Sequence, residues 1–301
     1  MTLVKMAHWY SRGICPLDAL ARDGWVSLSF AEEDGVASDR VLLTGISGAG
    51  KSTLLALLAG AWAAARAMLG GASPVLPPVE TALVITGLSQ RPVLCLCAGD
   101  EGFWRRAATA HPQALAVGWL AGQPRGWDAP QVRALARRAG EGGVGIPNAL
   151  LLDDAQDPTL PPGALAQEME DLAAQAPERC AALLTLLEPL LSGKCVVVAK
   201  EGAAVRMASG ALHALDKLSA GEKRVLGMLL AVCRQFIPGG VLLVDEPAAH
   251  LHPSQVLGLL ATLERMALPG GGQIILTSHA PEVWRRYDRL GVNLALEGAQ
   301  A

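Results

Sequence analysis

The sequence predicts an α/β fold with a central, mostly parallel sheet. Three short apolar runs, at 41–44, 241–244 and 274–277, fit strands that are buried on both faces. A glycine-rich turn and an alanine- and leucine-rich helix follow the first run, and an acidic pair follows the second. Such an order is typical of a parallel sheet whose carboxyl edge carries the ligands. With 301 residues, 51% of them hydrophobic, the chain can form one large domain or two small ones.

The turn after the first run fits a phosphate-binding loop. Residues 45–52 match the pattern G-x-x-x-x-G-K-[ST] without a mismatch. Glycines let the backbone curl so that N–H groups point at phosphate oxygens, and the positive end of the following helix adds to the same spot. Lys51 would reach the β- and γ-phosphates, Ser52 would ligate Mg²⁺, and Thr53 would support it. An ordinary glycine turn before a helix is the alternative. The nucleotide-binding residues predicted here are Gly45, Ser47, Gly48, Ala49, Gly50, Lys51, Ser52 and Thr53.

Three later stretches narrow the class of nucleotide-binding protein. They are Leu218-Ser219-Ala220-Gly221-Glu222, the run 241–253 that ends Asp-Glu-Pro-Ala-Ala-His-Leu-His-Pro, and Thr277-Ser278-His279-Ala280-Pro281. Together they resemble the signature motif, Walker B strand, D-loop and switch histidine of ABC-type ATPases. His250 and His252 favour the non-transporter branch, which contains the RecF, Rad50/SMC and OLD-like ATPases of DNA repair and phage defence. The resemblance covers about residues 25–60 and 190–290.

The resemblance implies a P-loop NTPase fold of the ABC-ATPase head type. Such a head has a central mostly parallel sheet, an antiparallel β lobe and a helical lobe, and it uses ATP and Mg²⁺. By this resemblance Asp245 would hold Mg²⁺ together with Ser52. Glu246 would polarise the attacking water as the general base, and His279 would sense the γ-phosphate.

The signature stretch has two interpretations. Ser219 and Glu222 fit the S-x-x-E capping box, which by itself marks only the start of a helix. The spacing favours a functional role, because one helix and a short turn separate Leu218 from the strand at Val241, as in the ABC arrangement. The resemblance implies that Ser219 and Gly221 bind the γ-phosphate held by a second copy, so that ATP joins a head-to-tail homodimer.

Two further nucleotide contacts are assigned by position. ABC-type ATPases place a glutamine after the last strand before the helical lobe, and Gln156 has this place if the lobe is 163–191. Gln90 and Gln123 are alternatives. In related ATPases an aromatic residue upstream of the loop stacks on adenine, and Trp25 and Phe30 are candidates, although burial within a strand also explains each.

The chain is interpreted as a single ABC-type domain, 1–301. Its parts would be 23–160 with the phosphate loop and β lobe, 161–215 with the helical lobe and a hairpin, and 216–301 with the signature, Walker B and switch residues. Strands at 80–86 and 92–98 suit the antiparallel lobe. Residues 1–22 are expected to form a loosely held arm.

Composition and charge bear on nucleic-acid binding, cellular compartment and membrane association more than on the reaction. The net charge of −3 gives no global nucleic-acid footprint. Between 101 and 141, however, six arginines face three acids, which fits either a solvated face or a partner or nucleic-acid contact. The six cysteines lack C-x-x-C spacing and are interpreted as reduced residues of a cytoplasmic protein. No signal peptide is expected, because His8-Trp9-Tyr10-Ser11-Arg12 interrupts any early apolar core. No membrane span is expected either, because Arg66 interrupts the apolar helix after the phosphate loop.

The function predicted from the sequence is that of an ATP-hydrolysing ABC-type head that gates a partner in DNA repair or anti-phage defence. The partner would be a separate effector such as a nuclease, and nucleic-acid binding is left open. One alternative is the nucleotide-binding subunit of a transporter. Another is an ATP-gated scaffold or sensor with little turnover.

Overall fold

The structure is a computed structural model that describes residues 5–13, 25–120, 123–125, 146–153, 163–199 and 202–296. The strands are β1 (Lys5–Arg12), β2 (Val26–Ser29), β3 (Arg40–Gly45), β4 (Glu80–Thr86), β5 (Val93–Ala98), β6 (Leu115–Leu120), β7 (Gln123–Arg125), β8 (Ala149–Leu152), β9 (Cys195–Ala199), β10 (Gly202–Arg206), β11 (Leu212–Ala214), β12 (Val241–Val244), β13 (Gln273–Thr277) and β14 (Val292–Leu296). The α-helices are α1 (Lys51–Leu69), α2 (Glu101–Ala110), α3 (Ala164–Gln175), α4 (Pro177–Leu187), α5 (Ala220–Gln235), α6 (Pro253–Ala267) and α7 (Pro281–Leu290).

A five-stranded parallel sheet lies at the centre of the fold, in the order β14-β3-β13-β12-β8. Its side chains alternate between two cores, as the period of two in a strand requires. Val41 and Leu43 lie in one core with α1, and Leu42 lies in the other with α5, α6 and α7. Burial on both faces explains the continuous apolar runs, and the predicted parallel sheet is confirmed.

The second sheet has six strands in the order β2-β1-β4-β5-β6-β7. The predicted strands at 80–86 and 92–98 are its β4 and β5, and they pair antiparallel as expected. The next pair departs from this pattern, because β5 and β6 run parallel. Helix α2, capped by the Asp100 carboxylate, lies between them in sequence and provides the crossover that a parallel pair requires.

The expectation of a loosely held arm at 1–22 is wrong for the part of it that the structure describes. Strand β1 lies inside the six-stranded sheet and pairs antiparallel with β2 and β4. The ring of Trp9 is fully buried. The side chain of Gln273, at the start of β13, bonds the main chain of Met6 and Ser38. The β1 strand therefore connects the six-stranded sheet to the central sheet.

A smaller helical part follows β8. Helices α3 and α4 are separated at Ala176 and Pro177, and a 3₁₀ turn at Glu188–Leu190 follows them. Strands β9, β10 and β11 form an antiparallel sheet beside them. The helical lobe and the hairpin that the sequence predicts are therefore both present.

Helix α1 is the one element of the described ranges that is long and apolar enough to cross a membrane by length and composition. Of its most apolar 18-residue window, 56% is buried inside the fold. Trp62 Nε1 donates to Pro147 O at 2.9 Å and Arg66 Nε donates to Ile146 O at 2.8 Å. Both side chains therefore tie α1 to the segment that leads into β8.

Five cysteines lie in the described ranges, and all are free thiols. Burial raises the pKa of the Cys95 thiol to about 12 and that of Cys97 well above its ordinary value. Both thiols therefore stay protonated near neutral pH and serve as small core residues.

Candidate active site

The sheet topology brings the predicted motifs to one edge. Strands β3, β13, β12 and β8 are neighbours and run parallel, so their carboxyl ends lie at the same edge. The phosphate loop follows β3, Asp245 and Glu246 follow β12, and His279 follows β13. Parallel α/β sheets place their ligands at this edge.

The phosphate loop has the backbone that an anion cradle requires. Gly45, Gly48 and Gly50 have φ values of 145°, 83° and 87°, in the region that favours glycine. Gly50 is the N-cap of α1 and supplies no side-chain acceptor, so the first N–H groups of the helix are left for a bound anion. Ser52 and Thr53 are exposed, whereas Ala49 is buried under the loop. These features fit the phosphates of a nucleotide.

Lys51 is held inside the loop and against the switch residue. Its Nζ donates to Gly45 O and Ile46 O, each at 3.1 Å. The same nitrogen lies 2.9 Å from Nε2 of His279, which acts as the acceptor because an ammonium group can only donate. Residues that are 228 positions apart are thus in direct contact.

Asp245 and Glu246 are tied to β13 by one hydroxyl. Thr277 Oγ1 donates to Asp245 Oδ1 at 2.6 Å and accepts the N–H of Glu246 at 3.0 Å. The N–H of His279 donates to Glu246 Oε2 at 3.2 Å. Asp245 and the exposed Ser52 follow parallel strands of the same sheet, and a carboxylate and a hydroxyl at one edge are a donor set that Mg²⁺ accepts.

Glu246 combines an unusual backbone with an available oxygen. Its φ is 44°, in the left-handed region. Its Oε1 is buried and has no hydrogen-bond partner among the described residues. His279 Nε2 lies 3.5 Å from Oε1, which is too long for a strong hydrogen bond, and it already faces Lys51. A buried carboxylate oxygen without a partner is suited to accept a proton from a water molecule.

Arg224 contributes to the site although the sequence analysis did not include it. Its Nη2 donates to the main-chain oxygens of Asp245 and Glu246 at 3.3 and 3.2 Å. The sequence feature that could have identified Arg224 is its place as a cation on the buried face of α5, in line with Gly221 and Met228. Thr277 was also missed as a site residue, although it is the first residue of the switch stretch 277–281.

The signature stretch forms the start of α5. Ser219 Oγ accepts the N–H of Glu222 at 3.2 Å, and Glu222 Oε2 accepts the N–H of Ser219 at 2.8 Å, which confirms the capping box. Lys194 Nζ bonds both oxygens of the buried Glu222 carboxylate, at 2.9 and 2.7 Å. A Cβ on Gly221 would lie 2.8 Å from His250 O, so the glycine lets α5 pack against the D-loop of its own chain. Binding of phosphate by Ser219 and Gly221 remains a prediction.

The remaining sequence candidates are placed as follows. Gln156 lies outside the described residues. Gln90 is exposed in the turn between β4 and β5, within the six-stranded sheet. Phe30 is fully buried, and Trp25 stacks on Phe103 with ring centroids 4.2 Å apart, so their burial favours a core role over adenine stacking.

The two D-loop histidines have separate environments. His250 has a φ of 63° and is exposed, and His252 caps α6 by accepting the N–H of Ser254 at 3.3 Å. No cluster of three or more metal-ligating side chains occurs within the ranges that the structure describes.

This fold and the order of its motifs define a P-loop nucleotide-binding ATPase fold of the ABC head type. A family model described as "AAA domain, putative AbiEii toxin, Type IV TA system" matches residues 209–284. The structure of an SMC head bound to the C-winged helix domain of ScpA is similar, with a TM-score of 0.53 and 11% identity over 93% of this chain and 92% of that chain. The SMC head domain from Thermotoga maritima aligns with a TM-score of 0.44 and 14% identity over 93% and 91% of the two chains.

No curated protein matches the sequence. The family match spans the signature, Walker B and switch segments, and the fold similarity to the SMC head extends over nearly the whole chain. The prediction of a P-loop NTPase fold of the ABC-ATPase head type is therefore confirmed.

Proposed function

We propose that the protein binds and hydrolyses ATP and uses it to form a head-to-tail homodimer. The observation that carries this proposal is the contact chain from Lys51 through His279 to Glu246 and Asp245 at the carboxyl edge of the sheet. Phosphoryl transfer to water requires a cation that binds the phosphates, a residue that senses the γ-phosphate, a base and a metal-binding carboxylate.

The hydrolytic roles follow from the available donors and acceptors. The main chain from Gly45 to Gly50 and the Lys51 ammonium would bind the β- and γ-phosphates once Lys51 leaves the loop carbonyls. Ser52, supported by Thr53, and Asp245 would hold Mg²⁺, which supplies neutralisation of phosphate charge when bound. Glu246 would accept the proton of the attacking water through Oε1. Gln156 is proposed to contact the same water and metal.

Dimerisation is proposed from the position of the signature stretch. Ser219 is exposed at the start of α5, and its hydroxyl can still donate while its oxygen accepts the Glu222 N–H. The N–H groups of Ala220 and Gly221 lack intrahelical acceptors because they lie in the first turn. The chain's own phosphates already have the phosphate loop, so these donors would serve the ATP of a second copy.

We infer a role in anti-phage defence or DNA repair, in which the dimer gates a separate effector such as a nuclease. The description of the matching family names a putative AbiEii toxin and a Type IV TA system, which supports defence. The SMC head that shares this fold is bound to a domain of another protein, which supports a protein partner. The free buried cysteines fit a reducing, cytoplasmic setting.

The test is Glu246→Gln in the full chain. This change keeps the shape of the side chain but removes its charge and its capacity to take a proton, so turnover should stop while ATP still binds. The ATP-bound dimer should accumulate, as seen by light scattering. Glu178→Gln, at an exposed position of α4, is the matched control and should hydrolyse ATP like the wild type.

Different results would change the proposal in different ways. Wild-type turnover by Glu246→Gln would show that another group is the base. A wild type that binds ATP and dimerises without turnover would replace the enzyme by an ATP-gated scaffold or sensor. Absence of an ATP-dependent dimer would remove the proposed role of Ser219.

A further inference from the structure

Arg224 is a buried cation on an otherwise apolar helix face. It follows Gly221 by three residues and precedes Met228 by four, and it shares their buried side of α5. The residue is 7% exposed. A buried guanidinium group destabilises the fold unless its N–H groups find acceptors. The acceptors of Arg224 therefore indicate which part of the site it supports.

Two of those acceptors are main-chain oxygens of the two acidic site residues. Arg224 Nη2 reaches Asp245 O at 3.3 Å and Glu246 O at 3.2 Å. On the opposite side, the Glu246 N–H donates to Thr277 Oγ1 at 3.0 Å. The backbone of Glu246 is thus held through its N–H by β13 and through its carbonyl by α5.

The backbone of Glu246 needs such support. Its φ of 44° lies in a region that residues with a Cβ rarely adopt. Without the two supports the chain would relax towards negative φ, which would turn the Cα–Cβ bond and with it the carboxylate. Hydrogen bonds from a charged donor are among the stronger ones available to oppose that change.

We propose that Arg224 is a positioning residue that keeps the Glu246 carboxylate aimed at the water that attacks ATP. The inference rests on the proposed function, because it takes Glu246 as the base. Arg224 bonds the main chain of the site and acts through Glu246. Its effect should therefore fall on the chemical step and leave nucleotide binding unchanged.

The test compares Arg224→Met and Arg224→Lys in the full chain. Methionine retains apolar bulk but donates nothing, whereas lysine retains one charged donor. We expect Arg224→Met to lower kcat by about 10- to 100-fold, the scale that follows from a small misplacement of a reacting group. The ATP dissociation constant, measured by calorimetry, should stay within about twofold, because the contribution that is lost, proton transfer to a correctly placed Glu246, is made only in the transition state. Arg224→Lys should recover part of kcat.

Arg234→Met is the matched control. It removes the same charge from the same helix ten residues later, where Arg234 forms an exposed ion pair with Glu168 at 3.3 Å. Its turnover should equal that of the wild type. With ATP present, Arg224→Met should also accumulate the dimer as Glu246→Gln does, which a loss of stability alone would not produce.

The outcomes separate this inference from the function on which it rests. If Arg224→Met turns over ATP like the wild type while Glu246→Gln is inactive, Arg224 has no positioning role and the proposed function stands. Loss of ATP binding in both Arg224 variants would also overturn the inference, because it would indicate a general structural role. If Arg224→Met does not fold, Arg224→Lys decides alone: lower kcat at unchanged affinity supports positioning, and wild-type kcat overturns it. A wild type without turnover would overturn both proposals.

Discussion

The ion pair between Lys194 and Glu222 offers a quantitative test of how the start of α5 is held. Lys194 lies in the turn before β9 and bonds both carboxylate oxygens of Glu222, whose own Oε2 accepts the N–H of Ser219. The Glu222 side chain is 5% exposed and that of Lys194 is 22% exposed. Lys194→Met would leave a nearly buried carboxylate without its cation.

The expected loss of stability follows from that burial. Breaking a buried ion pair by removing one partner costs about 3–5 kcal/mol, and the partial exposure of Lys194 reduces this to about 2–3 kcal/mol because water can replace the ammonium in part. For a chain of this size, such a loss should lower the melting temperature by about 4–12 °C. Thermal unfolding followed by circular dichroism measures it.

A second substitution identifies the source of the loss. Gln in place of Glu222 can still accept the Ser219 N–H, so the double variant Lys194→Met with Glu222→Gln should regain most of the lost stability. Glu222→Gln alone should cost less than Lys194→Met, because the freed lysine can turn towards water. If the double variant melts as low as Lys194→Met, the unpaired carboxylate is not the cause and the reasoning fails.

The pH dependence has a defined sign. Burial raises the pKa of Glu222, but hydrogen bonds from Lys194 and Ser219 lower it by more than burial raises it. The pKa therefore lies below its ordinary value of 4.5. A carboxyl group with a lowered folded-state pKa contributes its full stabilisation above its unfolded-state pKa and loses it as the pH falls through the folded-state pKa. The stability difference between the wild type and Lys194→Met should therefore be full at pH 7 and shrink below about pH 4.5.

Three more outcomes are expected. Lys51→Ala should abolish nucleotide binding in calorimetry, and unchanged affinity would contradict the phosphate-loop assignment. Ser219→Arg should leave ATP binding by the monomer intact but prevent the ATP-dependent dimer in light scattering, because a bulky cation opposes the dipole at the helix start; mixing it with Lys51→Ala should restore up to half of the turnover, since one composite site is then intact. Gly45→Ala should destabilise the fold and weaken ATP binding, because a Cβ there would lie 2.3 Å from Leu296 O at a φ of 145°; a melting curve like that of the wild type would exclude this clash.

Much of the site could be predicted because its parts are short and contiguous. The phosphate loop needs glycines at fixed spacing followed by Lys51, and that chemistry is visible in eight consecutive residues. The start of α5 at Ser219 was visible for the same reason, since a capping box spans only four residues. The core strands could be recognised because burial on both faces requires an unbroken apolar run.

Other features depended on residues that are far apart in the sequence. The β1 strand at Lys5–Arg12 mixes polar and apolar residues, and its place inside a sheet depends on pairing with β4, some seventy residues later. The parallel pairing of β5 and β6 likewise depends on which side of the sheet α2 crosses. Local pattern carries no information about the partner of a strand, so both features were missed.

The sequence by itself determined the class of fold and the candidate site residues, because a phosphate cradle, an acidic pair after a buried strand and a switch histidine each need particular residue types at local spacing. Only the tertiary structure decided how they act together. The sheet order places His279 against Lys51 and Glu246, and the packing of α5 places Arg224 beneath the Glu246 backbone. Such contacts join residues between 22 and 228 positions apart, and their geometry is set by the packing of whole elements, which no local run of residues specifies.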